Sequence, residues 1–121
     1  MIGTINAALE ATLPLQVHGP NGYSDVTAII DTGYNGFLTL PLAVAQALSL
    51  SALASRSVTL GDGSRRVLDF YEANVEWDGS LRTIAVLCVE GDPLIGTGLL
   101  KGYKLEADFV VGGTVRVVLV P

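Results

Sequence analysis

The chain of 121 residues carries 7 Lys+Arg against 12 Asp+Glu, a formal net charge of -5, and half of its residues are hydrophobic. This length predicts a single domain over residues 1–121, and a charged fraction of 16% excludes the composition of a disordered chain. The net negative charge, with Arg65-Arg66 as the nearest approach to a basic cluster, argues against a nucleic-acid partner.

Short apolar alternations separated by glycine turns run through the sequence, a pattern typical of an all-β barrel or sandwich. Leu13, Leu15 and Val17 form the first alternation. A Gly-Pro-Asn-Gly turn joins it to an apolar run over residues 26–30. We therefore expect a hairpin whose second strand ends at Asp31.

One helix interrupts the strands. After a short strand over residues 37–40, Pro41 suits the first turn of a helix. Leu42, Ala45 and Leu48 then recur at helical spacing, which predicts a helix to about residue 50 and a Ser-rich loop after it.

The second half of the chain reads as consecutive hairpins. Strands are predicted over residues 57–60, 66–77 and 81–90, with turns at residues 61–64 and at Asp78-Gly79. The third of these strands is partly apolar on both faces, so we place it centrally in the sheet.

The last hairpin is predicted over residues 105–120, with Gly112-Gly113 as a two-residue loop. Apolar side chains on both faces of its final strand fit either a subunit interface or burial inside the monomer.

The sharpest local feature is Ile29-Ile30-Asp31-Thr32-Gly33, where an aspartate directly follows an apolar strand. Taken alone, this triplet fits an Asx turn that caps the strand. Two further elements follow it in order: a glycine hairpin at residues 60–64, and Leu94-Ile95-Gly96 ahead of Leu99-Leu100.

These three elements together resemble the retropepsin-like aspartic peptidases of clan AA, over residues 26–100. The short bacterial and archaeal members are the most similar, because residues 36–41 resemble the segment that leads into a helix in those proteins. The resemblance implies an all-β, retropepsin-like acid-protease barrel, with one short helix after the catalytic loop and a short C-terminal helical turn.

The resemblance also implies roles for individual residues. Asp31 is the expected catalytic carboxylate, Thr32 carries a hydroxyl that crosses the dimer axis, and Gly33 admits the substrate backbone. The tip of a flap over the substrate is implied for four residues: Gly61, Asp62, Gly63 and Ser64. Support beneath the Asp31 loop is implied for Leu94, Ile95 and Gly96, which also fit plain core packing.

The sequence departs from the viral members beside the motif. Tyr34 and Asn35 follow the glycine, so we expect these two substrate-binding positions to make different contacts with the peptide. Thr97 and Gly98 replace polar residues frequent in viral enzymes, which puts the salt-bridge support of the short helix in doubt.

Hydrolysis by carboxylates requires two aspartates that share a proton, since one must accept a proton from water while the other donates one. This chain holds a single Asp-Thr-Gly, so the second carboxylate must come from another copy. We therefore expect a homodimeric aspartic endopeptidase acting on extended or unfolded polypeptide, with no cofactor. The alternatives are a weakly active or inactive peptide-binding or dimerisation module of the same fold, and an unrelated small barrel.

The remaining residues indicate no other chemistry. His18 is the single histidine and Cys88 the single cysteine, so neither a metal site nor an intrachain disulfide is expected. The first fifteen residues lack the basic start and apolar run of a signal peptide. The uncharged stretch over residues 32–55 contains Pro41 and two glycines, which argue against a membrane span. We therefore expect a cytoplasmic protein without a membrane partner.

Overall fold

The computed structural model describes residues 1–59 and 62–121. Within these residues the chain forms ten strands and two short helices. In chain order they are β1 (Ile2–Ile5), β2 (Ala11–Gly19), β3 (Gly22–Ile30), β4 (Leu38–Leu40), α1 (Leu42–Ala47), β5 (Ser51–Thr59), β6 (Arg65–Trp77), β7 (Ser80–Cys88), β8 (Leu94–Ile95), α2 (Thr97–Leu100), β9 (Tyr103–Ala107) and β10 (Thr114–Leu119). The all-β prediction with a short helix after residue 41 and a helical turn after residue 96 is confirmed.

Six of the strands close into a barrel. Neighbouring strands follow the order β6-β7-β4-β8-β3-β2, and β6 pairs back with β2 to close the ring. Two of these contacts are parallel, β3 with β8 and β4 with β7. The parallel contacts lie where the chain crosses the barrel rather than turning back in a hairpin, and they position the loop after β3.

The barrel interior is filled by the side chains that the apolar alternation predicts. Leu13, Leu15 and Val17 of β2 point inward and are buried, while Pro14 between them is exposed. Among the described residues, the largest fully buried side chains of this interior are Leu13, Val17, Leu38, Leu40, Val75, Val86, Ile95, Leu99 and Val117, while Ile5 and Val115 form a second cluster with Ala11. Burial of each such side chain contributes about 1.5–3 kcal/mol, so this interior supplies the main stabilisation of the barrel.

The predicted turn at Asp78-Gly79 is confirmed and explains the register of β6 and β7. Both residues have positive φ, 51° and 88°, and Trp77 pairs with Ser80 across them. Two successive positive φ values match the twist of a two-residue hairpin, and Asp-Gly is favoured there. β7 lies between β6 and β4, so its predicted central position is confirmed.

The predicted boundaries of the helix and of the strand after it are wrong. The helix ends at Ala47 instead of residue 50, and Ser49 takes a left-handed φ of 53°. β5 then begins at Ser51, six residues before the predicted start, and pairs antiparallel with β6 from Glu72 back to Arg65. The serine-rich composition suggests a loop, but a long partner strand overrides local preference.

The prediction of a two-residue Gly-Gly loop in the last hairpin is also wrong, because β9 ends at Ala107 and β10 begins at Thr114. The intervening loop is bonded to β1: Ile5 N–H donates to the Gly113 carbonyl and Gly112 N–H donates to the Ile5 carbonyl, both at 2.9 Å. β1 itself was not predicted, and it pairs with β10 on the side opposite β9. Both edges of β10 are therefore paired within the chain.

Candidate active site

Asp31 is the first residue after β3, and the parallel pairing with β8 positions it. Ile29 lies opposite Leu94, and Ile30 lies opposite Ile95. Asp31 N–H donates to the Ile95 carbonyl at 2.9 Å, one residue beyond the end of the strand. The backbone of Asp31 is thus bonded to β8, whose residue Ile95 is fully buried.

The loop after β3 is closed by its own hydrogen bonds. Gly33 N–H donates to Oδ1 of Asp31 at 2.9 Å, and Tyr34 N–H donates to the Asp31 carbonyl at 3.1 Å. The Asx turn that the sequence allowed is therefore present. Within the described residues, the hydrogen bond to this carboxylate is accepted by Oδ1. Asp31 is half-buried, while Thr32 and Gly33 are exposed. The turn orients the carboxylate and leaves Oδ2 available to another group.

The start of α2 supports the second half of this loop. Gly96, Thr97 and Gly98 donate their N–H groups to the carbonyls of Phe37, Tyr34 and Gly36, at 3.0, 2.8 and 3.0 Å. Thr97 Oγ1 also lies 3.3 Å from the Tyr34 carbonyl oxygen. In place of a salt bridge, backbone hydrogen bonds join the loop to α2.

Gly96 makes this close approach possible. A Cβ atom at Gly96 would overlap the Gly36 carbonyl oxygen and would lie 2.7 Å from the Tyr34 carbonyl oxygen. The backbones of the loop and α2 therefore pack directly on each other, which only glycine permits. The predicted supporting residues Leu94, Ile95 and Gly96 all lie against the Asp31 loop.

Sequence reasoning missed Thr39 as a supporting residue. Its side chain is 4% exposed, and Oγ1 accepts a hydrogen bond from Leu94 N–H at 2.9 Å. This bond joins β4 to the first residue of β8, beneath Asp31. The sequence signal for this role was a threonine between two leucines that are both buried in a short strand.

Tyr34 is half-buried, and burial raises the pKa of its phenol. Its ring packs against Gly36 and lies close to Gly96, so the side chain folds back onto the loop. The phenol stays neutral at ordinary pH, so the side chain presents an apolar ring with a single polar hydroxyl group. Asn35, the other predicted substrate-binding residue beside the motif, is exposed.

Two cavities adjoin the Asp31 loop. The first, of about 390 Å³, borders Asp31 and Thr32 and is lined on its other side by Leu9, Leu105 and Phe109. The second, of about 310 Å³, lies between the loop and the hairpin of β5 and β6. Its lining residues are Tyr34, Gly36, Phe37, Leu53, Ala54, Arg56, Phe70 and Ala85.

The residues predicted to form a flap tip fall between β5 and β6 in the sequence. Gly61 lies outside the described residues. Asp62, Gly63 and Ser64 are exposed, and Gly63 has a positive φ of 84°. The side chain and backbone N–H of Ser64 donate to Asp62 Oδ1, at 2.6 and 2.9 Å, and they lower the pKa of that carboxyl group. These bonds stabilise the turn itself.

Across residues 1–59 and 62–121, His, Cys, Asp and Glu form no group of three that could hold a metal ion. The His18 ring instead stacks on Tyr23, with ring centroids 5.4 Å apart. No helix in this part of the chain has the length and apolar composition needed to cross a bilayer.

Two of the solved structures that match this fold are aspartic proteases. A retropepsin-like aspartic protease from Rickettsia conorii covers 100% of this chain and 92% of its own, with a TM-score of 0.59 and 14% identity. EIAV protease complexed with the inhibitor HBY-793 covers 76% of this chain and 86% of its own, with a TM-score of 0.56 and 16% identity. No family model and no curated protein matches the sequence. The two structural matches show that this chain has the fold of the retropepsin-like aspartic proteases.

Proposed function

We propose that this chain is an aspartic endopeptidase that hydrolyses extended polypeptide as a homodimer, with Asp31 of each copy as a catalytic carboxylate. The observation that carries the proposal is the Asp31 loop. Its carboxylate is half-buried, oriented through Gly33 N–H, and held on a backbone that is bonded to Ile95. A carboxylate positioned in advance of substrate binding is what acid–base hydrolysis requires.

The chemistry divides between the two carboxylates. The ionised one removes a proton from water, the water oxygen attacks the scissile carbonyl carbon, and the protonated one donates its proton to the carbonyl oxygen. As the tetrahedral intermediate collapses, the carboxyl group that took the water proton donates it to the leaving nitrogen. The other carboxylate removes a proton from a hydroxyl of the intermediate, and the C–N bond breaks. One Asp-Thr-Gly per chain provides only one of the two groups, so the second comes from the symmetry mate.

The surface beside Asp31 supports association with a second copy. Leu9, Leu105 and Phe109, which line the cavity next to Asp31, are 52%, 36% and 63% exposed. Contact with a partner across a two-fold axis near Asp31 would bury these apolar side chains. Thr32 is exposed on the same loop, where its hydroxyl can bond to the partner's loop.

The other site residues have positioning or binding roles in this proposal. Leu94, Ile95 and Gly96 hold the Asp31 loop, while Tyr34 and Asn35 contact the bound peptide. Gly61, Asp62, Gly63 and Ser64 form the flap that covers the peptide and excludes water. We further propose that residues 1–121 act as a single domain in the cytoplasm, a setting that fits a chain with one cysteine.

Cleavage of an unbiased peptide library tests the proposal, with wild type and Asp31→Asn compared at equal concentration. We expect wild type to cleave and Asp31→Asn to be inactive, with unchanged circular dichroism and unfolding midpoint. Equal inactivity of two well-folded proteins would contradict the peptidase and favour the peptide-binding module.

A further inference from the structure

The cavity between the Asp31 loop and the β5–β6 hairpin is lined mainly by apolar side chains together with one arginine. Its walls come from both elements, with Phe37 on the loop side and Leu53 and Phe70 on the hairpin side. At about 310 Å³ it lies at the small end of the range for ligand pockets, so it fits side chains rather than a whole small molecule. Leu53 is 50% exposed, and an apolar group in the cavity would cover it.

Arg56 places a positive charge on this otherwise apolar cavity. Its guanidinium carbon lies 5.7 Å from the centroid of the Phe70 ring, which also lines the cavity. The two residues are diagonal neighbours across the β5–β6 ladder, since Arg56 pairs with Leu68. Stacking on the ring limits the conformations of the arginine side chain and keeps its N–H groups at the cavity wall.

No carboxylate within the described part of the chain neutralises this arginine. The ion pair found among residues 1–59 and 62–121 joins Lys104 to Glu106, far along the chain. On the neighbouring rung of the ladder, the Asp69 carboxylate accepts a hydrogen bond from Ser55 at 2.8 Å. In a chain of net charge -5, Arg56 is therefore a cation stacked on an aromatic wall without an acidic partner in the described residues.

A second arginine, Arg82, lies against the Phe37 ring but is not among the residues that line the cavity. The Arg82 guanidinium carbon is 5.5 Å from the centroid of the Phe37 ring. Arg56 is therefore the cation on the cavity wall itself, and its charge favours a negative group beside it.

We propose that this cavity receives a large apolar side chain of the substrate, and that Arg56 binds an Asp or Glu carboxylate close to it in the peptide. A guanidinium recognises a carboxylate through two parallel N–H bonds, so Arg56 determines specificity while Asp31 performs the chemistry. The inference rests on the proposed function, because it names the substrate class of that same site.

Paired peptides test this specificity. From a peptide that wild type cleaves next to a large apolar residue, Glu and Gln versions are made at each flanking position. At one position we expect wild type to prefer Glu over Gln by about tenfold in kcat/KM, the effect of one charge-assisted hydrogen bond at a partly exposed site. Arg56→Gln should abolish this preference, so that the Glu and Gln peptides are cleaved with the same kcat/KM. Arg56→Glu should prefer Lys at the same position.

Arg66→Gln is the matched control, since it removes the same charge from the same hairpin. Arg66 lines a different cavity, beside Cys88 and Leu68. We expect this variant to retain the wild-type preference for Glu. No Glu preference in wild type, or the same preference in Arg56→Gln, would overturn the inference.

A binding measurement separates this inference from the peptidase proposal. Fluorescence anisotropy of labelled Glu and Gln peptides is measured with Asp31→Asn, and with the double variant that adds Arg56→Gln. One outcome is that wild type cleaves neither peptide, whereas Asp31→Asn binds the Glu peptide more tightly than the Gln peptide and loses this difference when Arg56→Gln is added. The specificity inference then stands and the peptidase proposal fails. If neither peptide binds and neither is cleaved, the inference is overturned as well.

Discussion

Gly96→Ala is the substitution that most directly disturbs the support of the Asp31 loop. The added methyl group would overlap the Gly36 carbonyl oxygen, and backbone cannot move aside as a flexible side chain can. Separation of the two segments would strain or break the bonds from Gly96 N–H to Phe37 and from Gly98 N–H to Gly36.

The expected cost follows from these contacts. Overpacking a closely packed site costs about 1–3 kcal/mol. Each lost backbone hydrogen bond adds about 0.5–1.5 kcal/mol. We therefore expect Gly96→Ala to lower the free energy of unfolding by about 2–6 kcal/mol, a large part of the roughly 5–15 kcal/mol typical of a small domain.

Gly102→Ala is the matched control for Gly96→Ala. A Cβ atom at Gly102 meets nothing within 4 Å, and the residue has a φ of 87°. Its cost is therefore backbone strain alone, about 1–2 kcal/mol. Urea unfolding gives both free energies, and amide exchange of Asp31, whose N–H bonds to Ile95, reports on the loop. Equal destabilisation by the two substitutions, with the Asp31 amide equally protected in both, would refute this explanation of Gly96.

Three further predictions concern the loop support, the thiol and the exposed apolar surface. Thr39→Val should lower the free energy of unfolding by about 1–3 kcal/mol, because the Leu94 N–H loses its buried acceptor; urea unfolding measures this, and an unchanged value would contradict it. Burial, with two nearby carboxylates, raises the pKa of the Cys88 thiol, so its alkylation by iodoacetamide should rise with pH through a midpoint above that of free cysteine; a midpoint at or below the free value would show the reverse. Phe109→Ser should weaken dimerisation by about tenfold or more while the circular dichroism spectrum of the folded chain stays unchanged, since the ring is 63% exposed within one copy. Sedimentation across a dilution series measures that dissociation constant, and an unchanged value would exclude Phe109 from the interface.

The barrel strands and the Asp31 loop could be predicted because their signals are local. Leu13, Leu15 and Val17 alternate on one strand, and a two-residue Asp-Gly turn sets the register of the hairpin after Trp77. The apolar run over residues 26–30 also predicted the strand that ends at Asp31, and this strand is the parallel neighbour of β8 at Leu94-Ile95.

The missed features depend on distant partners. β1 is a four-residue strand that pairs with β10 and β2, and its own composition does not predict these partners. Gly112-Gly113 has the composition of a tight hairpin loop, but its backbone bonds to Ile5 open the loop. The role of Thr39 likewise arises from a bond to Leu94, 55 residues further along the chain.

A subunit-mixing experiment tests the central claim, a catalytic site shared between two copies through Asp31. Wild type and Asp31→Asn are mixed in equal amounts, allowed to exchange subunits, and assayed for peptide cleavage at fixed total concentration. If both carboxylates are required, random pairing leaves about one quarter of the dimers with two Asp31 residues, and activity falls to about one quarter of the wild-type value at that concentration. Activity of about one half would show that each copy works independently, and it would contradict the shared site.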